Sequence, residues 1–211
     1  MLCDVNWIAF IAAMAIVELT PGPNMGWLAA LSAQQGRRIG LMAVGGITLG
    51  LSVQLLAAAT GFSTFIAGTD LVFEAIRWSG VAFMLYLAWE ASAETGETSP
   101  GRSEGLEGFR RGFVANLLNP KALVFYIAVV GQFAVCETSP VFVQILILGG
   151  IHIVLSVIVH AAIVLLSAGI GLRLSRWRQS FAVRAGFATC LVLVAVWIAI
   201  TTQNGGPITH K

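Results

Sequence analysis

The sequence predicts an all-α polytopic membrane protein of six transmembrane helices, arranged as two inverted three-helix repeats with broken helices 1 and 4. Three observations predict it. Of the 211 residues, 57% are hydrophobic and only 10% charged, whereas soluble domains carry about 25% charged residues. Six apolar stretches reach, or nearly reach, the ~20 residues that a membrane-crossing helix needs. Two of these stretches are interrupted by proline at corresponding places.

The first stretch runs from Val5 to Leu31 and is broken by Thr20-Pro21-Gly22-Pro23-Asn24. Each proline removes a backbone donor and clashes with the turn before it. Gly22 admits backbone angles that other residues avoid. The second stretch is Ile39 to Phe62 and the third Leu71 to Glu90. The fourth runs from Gly112 to Val135 and holds one charge, Lys121, directly after Asn119-Pro120. The fifth, Val141 to Leu172, is longer than a simple crossing, so a tilt, a bend near Gly149-Gly150 or an early end is expected. The sixth is Phe181 to Thr202.

Glu94 to Glu107 is polar and rich in Gly, Ser, Thr and Glu, so it reads as a mobile loop. One membrane domain over 1–211 is expected, with a first repeat over 1–93, a cytoplasmic linker over 94–107 and a second repeat over 108–211. Halves of three helices must have opposite orientation. Their paired broken helices point to a transporter site, because interrupted helices in matching positions form such sites. Backbone broken at membrane depth is tolerated only where it is buried in protein or lines a water-filled cavity.

Orientation follows from the cations. Arg37 and Arg38, then Arg102, Arg110 and Arg111, then Arg173, Arg176 and Arg178 occupy alternate loops, whereas Ser63 to Asp70 and Cys136 to Pro140 have no Lys or Arg. The positive-inside rule makes the first set cytoplasmic and puts both termini outside. Asn24 lies seven residues from Leu31, and Asn119 seven from Gly112. At 1.5 Å per residue both then sit roughly 10 Å from the cytoplasmic side and can face one cavity. The N-terminus lacks the basic region of a signal peptide, so the first apolar stretch is expected to stay as a membrane helix.

Few residues in the apolar stretches carry chemistry. Glu18 is an intramembrane carboxylate, rare because burying its charge is expensive. Three roles are open to it: binding a substrate ammonium, carrying a coupling proton, or neutralising Lys121. Lys121 can meet a substrate carboxylate or Glu18, or snorkel to the headgroups. Asn24 and Asn119 suit the two ends of an amino acid, and both also suit helix capping. His152 and His160 are eight residues apart, on roughly one helix face. They form a candidate proton relay or a packed, hydrogen-bonded pair. Glu74 and Arg77 read as an interfacial ion pair. Gly40, Gly45, Gly46 and Gly50 give spacings that allow close helix approach, and Trp7, Trp78, Trp89 and Trp177 read as interfacial anchors.

The run Thr20-Pro21-Gly22-Pro23-Asn24 followed by Gly36-Arg37-Arg38-Ile39-Gly40-Leu41 resembles the LysE/RhtB family of amino-acid exporters. So do Gly112-Phe113 with Asn116-Leu117-Leu118-Asn119-Pro120-Lys121 and Gln132-Phe133, and the Gly80 to Trp89 segment. The resemblance covers nearly the whole chain. It implies a small bacterial inner-membrane protein that exports amino acids or their derivatives, driven by the proton motive force. It also implies that Pro21, Gly22, Pro23, Asn24, Asn119, Pro120 and Lys121 belong to the substrate- or ion-binding site. Glu18 stands where the family usually has an apolar residue, and Gly131 where it usually has proline.

Other classes fit less well. A net charge of +2 with no basic tract excludes a nucleic-acid binder. Cys3, Cys136 and Cys190 form no C-x-x-C, so neither a metal site nor a cofactor is expected, and a membrane thiol or electron-transfer protein lacks its motif. A channel or sensing subunit is the other alternative, and uphill export abolished by an uncoupler separates it from an exporter. An enzyme is not expected. The expected partners are the lipid bilayer, a small zwitterion and, as an option, a second copy of the chain.

Overall fold

A computed structural model describes residues 5–19, 23–61, 69–92, 102–119 and 139–173 continuously, and single positions within 122–134 and 185–200. Among the described residues there are six continuous helices and no strands. They are α1 (Trp7–Leu19), α2 (Pro23–Gln35), α3 (Arg37–Ala59), α4 (Asp70–Ser92), α5 (Arg102–Leu117) and α6 (Val141–Arg173). The described positions from 185 to 200 are also helical. Helices α3 and α6 are long and apolar enough to cross a membrane, and α1 with α2 makes a third crossing if counted as one broken span.

The first break is present. Helices α1 and α2 are bent by 54° to each other. Pro23 opens α2, the place where a proline's missing N–H costs a helix nothing. Pro21 and Gly22 lie outside the described residues, as do Pro120 and Lys121. Gly36 joins α2 to α3 with φ of 87°, in the left-handed region that glycine enters without steric cost.

Two expectations need correction. The fourth stretch does not start at Gly112. Helix α5 begins at Arg102 and ends at Leu117, so the last part of the supposed loop is helical. The cause is packing. Gly105, Gly108 and Gly112 recur at helical spacing on a buried face, while Leu106, Glu107 and Arg110 face outward, and Glu107 pairs with Arg111 one turn on. Nor does the fifth stretch bend at Gly149-Gly150. Helix α6 is one unbroken rod of 33 residues. Gly149 instead admits Leu55, whose Cδ1 would stand 2.1 Å from an added Cβ.

Glycines also bring α3 and α5 together. A Cβ on Gly46 would stand 2.0 Å from the Phe109 carbonyl oxygen, and one on Gly112 would stand 2.2 Å from that of Ala43. Only glycine allows backbones so close. The order of these contacts fixes direction. Gly108 meets Ile39, Gly112 meets Ala43 and Asn116 meets Gly50, so α3 and α5 run parallel. Leu55 meets Gly149 and Val164 meets Gly40, so α6 runs antiparallel to α3. The starts of α3 and α5 and the finish of α6 therefore share one end of the bundle. Those are the ends that carry Arg37 and Arg38, Arg102, and Arg173.

Outward faces are apolar, as a lipid-facing surface requires. Ile8, Leu71, Leu166 and Trp89 are all strongly exposed. On α4, Trp78 donates through Nε1 to Glu74 at 3.0 Å; the side chain of Arg77 lies outside the described residues.

Candidate functional site

Two ridges of side chains build the site. On α1, Phe10, Met14 and Glu18 are buried at four-residue intervals. On α6, Gln144, Leu148, His152, Ser156, His160, Val164 and Ala168 are all buried at the same interval. Residues four apart stack on one helix face, so each ridge is continuous. The polar middle of the α6 ridge lies against the C-terminal turn of α1.

Glu18 and His152 meet there. Glu18 Oε1 lies 2.8 Å from His152 Nε2, with both side chains buried. A contact this short requires a hydrogen bond, so one proton sits between the two atoms. The other ring nitrogen, Nδ1, is 3.2 Å from the Tyr126 hydroxyl. Phe125 stacks obliquely on the imidazole with ring centroids 4.2 Å apart. His152 is thereby held by a carboxyl group, a phenol and an aromatic face.

His160 completes the cluster from the next two turns of α6. Its Nδ1 lies 2.8 Å from the Ser156 carbonyl oxygen. A carbonyl only accepts, so Nδ1 carries a proton and donates. The same Nδ1 is 3.1 Å from Ser156 Oγ and 4.0 Å from Glu18 Oε2. The two carboxyl oxygens of Glu18 thus point to different histidines. Along α6 the histidines are separated by a rise of about 12 Å, and Glu18 bridges them.

Glu18, His152, His160 and Ser156 line a cavity of about 40 Å³ beside the break between α1 and α2. Asn24, from the first turn of α2, and Asn119, just past the end of α5, are both on its wall. So are Asn116 and Phe125. By this measure a water occupies at least ~10–15 Å³, so the cavity has room for about three. The oxygens Asn24 Oδ1, Asn116 Oδ1 and Gln54 Oε1 are buried without a hydrogen-bond partner among the described residues. Asn24 therefore does not cap α2 through its oxygen. Gln54 reaches across from α3 and donates to the Asn116 carbonyl at 3.1 Å.

Of the residues singled out in the sequence, Glu18, Asn24, Asn119, His152 and His160 come together. Pro23 is at the break itself. Whether Lys121 reaches Glu18 lies outside the described residues. The sequence reading did not single out Tyr126, Phe125, Asn116, Gln54 or Ser156. Gln54 and Asn116 carried a usable signal, being polar side chains inside apolar helices. Ser156 sits halfway between the histidines at helical spacing.

The chain is similar to known proteins over most of its length. Two homoserine/homoserine lactone efflux proteins, from Salmonella typhimurium and Salmonella typhi, are each 27% identical over 198 residues, covering 92% of this chain and 95% of theirs. An uncharacterized membrane protein of Vibrio cholerae is 27% identical over 169 residues, covering 78% of this chain and 82% of its own. No solved structure matches. Residues 15–202 match the LysE type translocator family, and this multi-pass membrane protein belongs to it.

Proposed function

We propose that this protein is a secondary exporter of amino acids or amino-acid derivatives, driven by the proton motive force. The observation that carries the proposal is the buried Glu18–His152 hydrogen bond, set in a polar cavity beside the break between α1 and α2. A membrane-buried carboxylate paired with an imidazole is a group that can take up and release a proton. Its placement at a helix break gives a ligand access to backbone groups as well as side chains. Family membership and the efflux relatives support export of small amino compounds.

On this reading the chain lies in the bacterial inner membrane with both termini periplasmic, as two inverted three-helix repeats. Support comes from the shared end of α3, α5 and α6, which gathers the arginines on one side. The binding site comprises Glu18, Pro21, Gly22, Pro23, Asn24, Asn119, Pro120 and Lys121, with His152 and His160 relaying protons.

The test is efflux. Cells expressing the protein and fed dipeptides should keep lower internal levels of the released amino acids than cells without it. An uncoupler should abolish the difference. Export that persists undiminished after the proton gradient is collapsed would exclude proton coupling.

A further inference from the structure

The polar wall of the cavity is unbalanced. Among the described residues that line it, Glu18 is the one carboxylate, facing two imidazoles, three carboxamides and Ser156. Two of the carboxamide oxygens, Asn24 Oδ1 and Asn116 Oδ1, are buried with no donor among the described residues. Buried acceptors are normally satisfied. The wall therefore offers acceptors to a ligand rich in donors, and an ammonium has three donors and no acceptor. The cavity, about 40 Å³, holds a group of that size but not the rest of an amino acid. The remainder of a substrate must extend beyond it.

Charge accounting over the described residues shows what can occupy Glu18. With Glu18 ionised and both histidines neutral, these three side chains carry one negative charge in an apolar interior, which is unfavourable. A second proton on the Glu18–His152 pair restores neutrality. So does one ligand ammonium against the carboxylate. Both together would leave a net positive charge. The two occupants also need the same atoms, because Oε1 is engaged with His152 at 2.8 Å and Oε2 is 4.0 Å from His160.

We propose that a proton and a substrate ammonium compete for Glu18, one displacing the other, so that one proton is exchanged for one substrate bearing a primary ammonium in each cycle. This rests on the exporter reading above. The step is a proton transfer alone. An O–H or N–H bond in the Glu18–His152 pair breaks, and the proton leaves as H⁺ to water in the cavity, which has room for it. The ammonium then pairs with the carboxylate, and no electrons change hands. His152 is a positioning residue that holds the carboxylate and is itself held by Tyr126 at 3.2 Å. Among the described residues, the titratable groups facing Glu18 are His152 and His160 on α6, with Tyr126 behind His152; Lys121 lies outside the described residues.

The experiment uses the full chain in proteoliposomes with radiolabelled homoserine, whose amine stays protonated across the range, between about pH 5 and pH 8. The apparent KM should rise as pH falls, approaching about tenfold per unit as the proton-free fraction shrinks, with the maximal rate unchanged. Glu18→Gln should transport downhill with a KM independent of pH. Glu18→Asp should restore the slope, and His152→Gln should move its position without removing it. N-acetylhomoserine lactone, which has no ammonium, should not compete. A flat wild-type KM, a slope that survives Glu18→Gln, or equal competition by the acetylated compound overturns the proposal. Failure of homoserine and all other amino acids to be transported would defeat the exporter reading instead. Proton release on adding homoserine to purified protein in weakly buffered detergent then decides the matter, and no release overturns the competition.

Discussion

At the scale of the residue, Glu18 is distinguished by its partner. Glutamine is nearly the same shape and can still accept from His152 Nε2, so Glu18→Gln should accumulate and melt like the wild type while losing uphill export. Glu18→Ala leaves His152 Nε2 buried without that acceptor, at a cost of about 1–3 kcal/mol. Its thermal midpoint in detergent should fall clearly below that of Glu18→Gln; equal midpoints would mean that the hydrogen bond contributes nothing. Tyr126→Phe removes the weaker 3.2 Å contact on the other ring nitrogen. It should cost about 0.5–1.5 kcal/mol and slow export by changing the setting of the imidazole, which initial-rate measurements would show. Glu18, His152 and His160 were legible in the sequence, because ionisable side chains are conspicuous in apolar stretches. Their meeting was not. Glu18 and His152 are separated by 134 positions, and no local pattern encodes a contact so distant. Lys121, closer in charge complementarity, was the natural partner to weigh from sequence.

At the scale of the element, the α3–α5 pair shows how glycine can mislead. Residues 102–111 contain glycine, serine and charge, a composition shared with loops. Here the glycines occupy one face and meet a second glycine-bearing helix, so the same residues that suggest a break instead permit contact. The pattern in Gly40, Gly45, Gly46 and Gly50 was legible as a close-approach surface, but its partner was not. Gly46→Ala should destabilise by about 1–3 kcal/mol, the usual cost of overpacking, since the new Cβ meets the backbone oxygen of Phe109 at 2.0 Å. Gly150→Ala, with nothing within 4 Å of the added Cβ, should stay within about 0.5 kcal/mol of wild type. Fluorescence-detected melting of the two variants checks the pair, and a Gly46→Ala protein as stable as Gly150→Ala would contradict the packing.

At the scale of the whole molecule, helix direction ties the arginines to one side. Reporter fusions at Glu97 and Gly205 should give opposite signals, with Glu97 cytoplasmic. Matching signals would sink both the proposed sidedness and the inverted repeat. The broken first helix and most apolar stretches could be read from length and composition, because bilayer thickness constrains both. The length of the fifth stretch could be measured from sequence, but its continuity could not, since Gly149 serves packing against Leu55 and leaves the helix unbroken.

That continuous helix has a mechanical consequence. Helix α6 has 33 residues, so it is about 50 Å long, well beyond the ~30 Å hydrocarbon core. Its centre falls at Val157, between the two histidines. A stiff beam turned by about 10° around that fulcrum carries its two tips roughly 4 Å in opposite directions, while His152, five residues from the fulcrum, moves only about 1 Å. Leverage of this kind would widen the path on one side of the membrane as it narrows the other, with the Glu18 cluster near the pivot between them.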